Sequence, residues 1–98
     1  MKRNYTGCAL CDSTWGNVWA EVAGERLFFC CELCALQFRR LFGRIEQETG
    51  GAPIESLEIR GDRRGRTCLA TSGAGSVRVF VTFNSDGELL RFEKLASV

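Results

Sequence analysis

Cysteine is the residue type through which this 98-residue chain is most able to do chemistry. The chain has six cysteines and no histidine. Cys8 and Cys11 form a C-x2-C pair, and residues 12–29 separate it from the second group, Cys30-Cys31-Glu32-Leu33-Cys34. Two cysteine groups at this distance suit a tetrahedral zinc ion, which takes four thiolates at about 2.3 Å. The spacing therefore predicts a metal site before it predicts disulfides.

The second group offers two choices of ligand pair. Cys31 and Cys34 form a C-x2-C pair, whereas Cys30 and Cys34 are four residues apart and would share one face of a helix start. A helix N-terminus also favours thiolate charge. We therefore predict that Cys8, Cys11, Cys30 and Cys34 bind one Zn²⁺ ion, with Cys31 as the alternative ligand. Four cysteines suit iron as well, in a site of rubredoxin type.

Catalysis is not expected from these residues. Four thiolates fill a tetrahedral shell and leave no open position for water or substrate. The chain lacks histidine, the commonest general base, and no βαβ pattern surrounds its C-x2-C pair, as a thiol redox protein would require. We therefore expect that the protein is not an enzyme. The sixth cysteine, Cys68, lies in a predicted strand, and we expect it to be a buried apolar residue.

The elements that must position the cysteines come from the N-terminal half. Asn17–Val22 and Arg26–Phe29 predict a hairpin around a turn at Ala23–Glu25. From about Cys30 the apolar period becomes helical, and Gly50-Gly51 ends the helix. The apolar positions of this helix are Cys34, Phe38, Leu41 and Ile45, with Leu33 and Phe42 beside them.

The C-terminal half predicts a meander of strands. Turn chemistry at Gly61–Gly65, Ser72–Gly75 and Asn84–Gly87 separates segments of alternating polarity. Those segments are residues 55–60, 66–71, 77–83 and 88–94. The predicted fold class is α+β: a small zinc-stapled domain with an N-terminal treble-clef-like knuckle, hairpin and helix, followed by an antiparallel meander packed on the helix. We expect one domain, 1–98, with a zinc-binding half, 1–50, and a strand half, 51–98.

Arginine outnumbers lysine and clusters in two places. Arg39, Arg40 and Arg44 lie just beyond the predicted metal site, so we predict that they contact a partner. The four arginines around one turn could bind phosphate, but nearby glutamates favour a solvated, charge-balanced surface. They are Arg60, Arg63, Arg64 and Arg66. Trp15 and Trp19 could stack on bases, although core packing is the favoured prediction in so small a chain.

The segment Phe29-Cys30-Cys31-Glu32-Leu33-Cys34-Ala35-Leu36-Gln37-Phe38 resembles the F-C-x-x-x-C-x-x-x-F segment of TRASH, YHS and MYM-type treble-clef zinc domains. The resemblance spans residues 8–42 and implies one zinc ion held by Cys8, Cys11, Cys30 and Cys34. Asp12 stands where those families commonly have glycine. The TRASH resemblance also implies heavy-metal trafficking or sensing. The whole chain resembles a small zinc protein of thermoacidophilic archaea.

Together these observations predict a small zinc protein with a structural four-cysteine site that binds a macromolecule, either protein or nucleic acid. The alternatives are heavy-metal trafficking or sensing, and a rubredoxin-like iron or thiol redox protein. No apolar run is long enough to span a membrane, and none near Met1 resembles a signal peptide, so we expect a cytoplasmic location. The net charge of +1 gives no general attraction to nucleic acid. We expect no small-molecule substrate.

Overall fold

The computed structural model describes residues 1–95 and has an α+β fold. Within that range one helix accompanies seven strands. The elements are β1 (Lys2–Arg3), β2 (Val18–Val22), β3 (Glu25–Phe29), α1 (Glu32–Glu48), β4 (Ile54–Asp62), β5 (Gly65–Ser72), β6 (Gly75–Phe83) and β7 (Leu89–Lys94). The hairpin, the helix and the meander therefore follow in the predicted order. In this part of the chain no helix is long and apolar enough to cross a membrane.

Five strands form the larger sheet, in the order β1-β4-β5-β6-β7, while β2 and β3 form a separate hairpin. All neighbours are antiparallel except β1 and β4, which are parallel. The side chain of Asn4 extends this junction, because its amide exchanges two hydrogen bonds of 2.8 and 3.0 Å with the backbone of Ile59. The first residues of the chain are thus fastened to the sheet formed by its second half.

The core lies between α1 and one face of the large sheet. Alternate residues of the strands are buried, as in β6, where Val77, Val79 and Val81 point inward. They belong to one buried cluster with Phe38 and Ile45 of the helix. Burying each such side chain contributes about 1.5–3 kcal/mol. The predicted packing of the helix on the meander is confirmed.

The helix begins later than the cysteine spacing suggests. Its first residue is Glu32, and Cys31 occupies the N-cap position with extended backbone angles of φ −156° and ψ 168°. Cys30 lies in the bend that follows β3, so the expectation that it begins the helix is wrong. The C-terminal end is as predicted: Gly50 and Gly51 have positive φ values of +68° and +90°, which favour glycine.

Two further expectations about burial are wrong. Trp15 and Trp19 are 62% and 50% exposed, because phenylalanine and leucine side chains already fill the core. Trp19 lies instead on the outward face of the hairpin, with the Arg26 guanidinium 4.9 Å from its ring centre. Conversely, Arg66 is not on a solvated surface but is only 8% exposed, since its position in β5 faces inward.

Candidate metal centre

The first two cysteines lie in a turn whose backbone is fixed by a left-handed residue. The N–H of Asp12 donates to the carbonyl of Cys8 at 2.9 Å, closing the turn that contains Cys11. Asp12 has φ +64°, the region where glycine is favoured. Its Oδ1 accepts the N–H groups of Thr6 and Gly7 at 3.0 and 2.8 Å. The side chain of Asp12 therefore stabilises the turn in which its own backbone adopts an unfavourable conformation.

The hairpin and the helix bring the second group of cysteines to this turn. The N–H of Ala9 donates to the carbonyl of Phe28 at 2.9 Å, which joins the turn to β3. Gly16 passes so close to the Cys30 carbonyl that a Cβ there would clash with it. Cys34 projects from the first turn of α1 toward the same place. Three elements therefore converge on one point.

The four predicted ligand sulfurs lie together. The Sγ atoms of Cys8, Cys11, Cys30 and Cys34 all lie within 4.8 Å of one another. The Sγ of Cys11 is 3.4 Å from that of Cys30 and 4.0 Å from that of Cys34, and the Cys30–Cys34 separation is 3.5 Å. Zinc–sulfur bonds of about 2.3 Å require tetrahedral edges of about 3.8 Å. The spacing thus fits one tetrahedral ion and far exceeds a disulfide bond of about 2.05 Å.

The remaining two cysteines occupy different surroundings. The Sγ of Cys31 is 3.9 Å from that of Cys30, so it adjoins the four-sulfur group without belonging to it. Cys68 is fully buried within β5, away from the group. Burial raises the pKa of the Cys68 thiol to about 12, so it stays neutral. Its predicted role as a buried apolar residue is confirmed, whereas the choice of Cys30 over Cys31 as ligand stays a prediction.

The electrostatics of the four thiols favour a bound cation. A hydrogen bond from the Cys34 thiol lowers the pKa of Cys8 to about 4. That same bond raises the pKa of Cys34, and burial raises the pKa of Cys30 to about 12. Ionisation of Cys8 therefore opposes ionisation of Cys30 and Cys34, because negative charges so close repel each other. A divalent cation would allow all four to ionise, so this cysteine cluster could bind a metal ion.

The three helix arginines have different surroundings, and their role in binding a partner stays a prediction. The guanidinium of Arg39 donates to the Glu21 carbonyl at 3.3 Å and so reaches the hairpin. Arg44 lies over the ring of Phe92 at 4.9 Å and pairs with the carboxylate four residues later at 3.8 Å. Arg40 is exposed on the helix. Arg39 is thus presented beside the hairpin, whereas Arg44 packs toward β7.

Sequence reasoning missed the groups that hold the cysteine-bearing turn against the sheet. The buried Arg66 donates from Nη1 to the Leu10 carbonyl at 3.4 Å. Asn4, just before the turn, bonds to the backbone of Ile59. Both interactions join residues more than 50 positions apart, so no local pattern points to them. For Asp12 one signal was available, because aspartate occurs at positive φ more often than most residues do.

The pKa shifts predict how metal binding depends on pH. The raised pKa values of Cys30 and Cys34 mean that these thiols keep their protons near neutral pH in the metal-free protein, so binding must release them. Apparent metal affinity should therefore rise with pH and fall on acidification. Chelator competition between about pH 6 and about pH 8 measures the slope. An affinity that is independent of pH would contradict the ionisation of these thiols on binding.

Comparison with known proteins places the chain in a family. No curated protein matches it, and no solved structure matches it either. The family model described as Ta0938 matches residues 5–95, which include all six cysteines, the hairpin, the helix and the four long strands of the sheet. The resemblance to TRASH, YHS and MYM-type domains stays a prediction. Since the match covers nearly the whole sequence, the chain belongs to the Ta0938 family.

Proposed function

We propose that this protein is a small zinc-binding protein with a structural four-cysteine site, acting as a macromolecular binding module. The observation that carries the proposal is the approach of four cysteine sulfurs to within 4.8 Å of one another. A cysteine turn, a hairpin and a helix start surround them, and this order of elements supports the proposal of a treble-clef-like site. Zinc is favoured because an all-cysteine tetrahedral set is typical of structural zinc sites. Oxidised iron in the same thiolate set would be red, so the colour of the protein separates these two metals.

A structural role follows from the closure of the site. The four-sulfur group includes no carboxylate, and the chain has no histidine to act as a base there. Four thiolates around one ion leave no position for water or substrate. The ion would instead hold the turn, the hairpin and the helix in one arrangement. The protein would then act by presenting a surface, not by catalysis.

The surface best suited to a partner is the outward face of the hairpin with the adjoining helix arginines. Trp19 and Phe28 form a tilted aromatic pair with ring centres 5.4 Å apart, and Arg26 stacks on Trp19. Arg39 borders this face through its bond to β2, and the next residue of α1, Arg40, is exposed to solvent. Tryptophan and arginine are among the side chains most enriched at binding hot spots. They also suit stacking on bases and contact with phosphates, so a nucleic acid and an acidic protein are both candidates.

A second candidate function, heavy-metal trafficking or sensing, is favoured by the position of Cys31. Its sulfur lies 3.9 Å from that of Cys30, next to the four-sulfur group. A fifth thiol so close could replace one ligand while another leaves, which would permit exchange of the ion with a partner. The structural and trafficking roles differ in how fast the ion exchanges. Exchange that slows markedly in Cys31→Ser would favour trafficking.

The ligand assignment is tested by two matched substitutions at adjacent residues. Cys30→Ser removes a sulfur of the four-membered group and should abolish metal retention, because three thiolates and a hydroxyl bind zinc poorly. Cys31→Ser should retain one ion per chain, as should the control Cys68→Ser, since that thiol lies in the sheet. Elemental analysis of each purified protein gives the ratio of metal ions to protein chains. Equal loss in the first two variants, or loss only in Cys31→Ser, would assign the site to Cys31 instead.

Partner binding is tested by removing Arg39, which bonds to the hairpin, together with the exposed Arg40 next to it. If the partner is nucleic acid, Arg39→Ala together with Arg40→Ala should weaken binding and reduce its salt dependence by about one unit of slope for each phosphate that is no longer neutralised. Arg60→Ala with Arg78→Ala, on the opposite side of the sheet, is the matched control for net charge. Fluorescence anisotropy with labelled single-stranded RNA and DNA at several salt concentrations measures the binding affinity and its salt dependence for each variant. Absence of binding at low salt would exclude nucleic acid and leave an acidic protein as the partner.

A further inference from the structure

A cleft separate from the four-sulfur group lies between the start of α1 and two turns of the large sheet. Its volume is about 300 Å³. One wall is the first two turns of the helix, with Leu33 and Gln37, and another is the β4–β5 turn, with Arg63. The end of β6 closes it, where Phe83 contributes an apolar side chain. This is the lower end of the size range of small-molecule sites.

The residues that line this cleft include a buried cation, Arg66. Its residue is only 8% exposed, and its Nη1 donates to the carbonyl oxygens of Leu10 and Gly61, both at 3.4 Å. No ion pair involves this guanidinium within residues 1–95. Asp62 also lines the cleft, but its carboxylate accepts the backbone N–H of Arg64 at 2.8 Å. A buried charge is costly unless an opposite charge offsets it.

The cleft is held in shape by the turn between β6 and β7. The Oδ1 of Asn84 accepts the N–H groups of Asp86 and Glu88, each at 2.9 Å, so this turn is internally bonded. Gly87 packs on the first helical turn: a Cβ there would lie 3.0 Å from a methyl carbon of Leu33. The walls therefore exist before any ligand binds, which reduces the entropy cost of binding.

We propose that this cleft binds a small organic anion. Its carboxylate or phosphate group would face Arg66, with the exposed Arg63 as a second cation, and its apolar body would lie against Leu33 and Phe83. Guanidinium groups bind both kinds of anion in a two-bond fork, so the shared chemistry is recognised whichever group the ligand carries. The Gln37 amide, which also lines the cleft, can donate a further hydrogen bond. This site does not depend on which metal the cysteines bind, and it departs from the expectation that small molecules have no place here.

The test is a titration of the full-length, metal-loaded protein followed by ¹⁵N NMR. Benzoate and phenyl phosphate are the charged probes, and benzyl alcohol is the uncharged one. We expect saturable shifts at the amides of Gln37, Arg63, Phe83 and Ser85 for at least one anion, with a dissociation constant on the order of 1 mM. Comparison of the two anions assigns the preferred head group. Benzyl alcohol should bind at least tenfold more weakly.

Two substitutions that each remove one positive charge show where the anion binds. Arg63→Gln should weaken anion binding at least threefold, whereas the control Arg60→Gln, on the outer face of β4, should leave it unchanged. Arg66→Gln should abolish it, and its metal content is measured in parallel because Arg66 also contacts Leu10. The proposal is wrong if neither anion gives saturable shifts, if benzyl alcohol binds equally well, or if Arg63→Gln and Arg60→Gln have the same effect. Metal loss in Arg66→Gln, with no anion response in the parent protein, would show that Arg66 serves the cysteine turn alone.

Discussion

The mutual repulsion of four crowded thiolates is the constraint on which the rest of the structure depends. The sulfurs of Cys8, Cys11, Cys30 and Cys34 lie too close together to carry four negative charges without a cation. They nevertheless have the separations that a tetrahedral ion requires. The chain therefore brings together, from three separate segments, four thiols that could ionise together when a cation lies between them. We therefore expect metal binding to order the N-terminal half of the chain.

The large sheet stabilises the cysteine turn through apolar burial and hydrogen bonds, which a metal ion does not provide. The cysteine turn contains few residues able to bury apolar surface, yet Leu10 and Ala9 within it join the core, and the Arg66 guanidinium bonds the Leu10 carbonyl. Asn4 fastens the preceding segment to β4. The helix then links both parts, because its first turn carries Cys34 and its later turns pack on the sheet. The helix thus connects the cysteine cluster to the sheet, and each part fixes the position of the other.

The sequence was most informative where local patterns record burial or coordination. Alternation in Val77–Phe83 predicted a strand with one inward face, because the sheet has one buried face. The cysteine spacing predicted the four residues whose sulfur atoms lie together in the fold. Other features depend on interactions between distant residues. Nothing local shows that Lys2–Arg3 pair in parallel with β4, or that Arg66 faces inward. The tryptophans were misplaced because composition cannot tell which aromatic side chains the core has room for.

The central claim is that one ion is bound by four cysteine sulfurs. X-ray absorption spectroscopy of the metal-loaded protein measures this most directly, since it counts the ligand atoms and gives their distances. For zinc, the structure predicts a single shell of four sulfur atoms at about 2.3 Å and no lighter ligand. A shell of three sulfurs with one oxygen or nitrogen would contradict the closed site, and with it the view that this protein acts by binding alone.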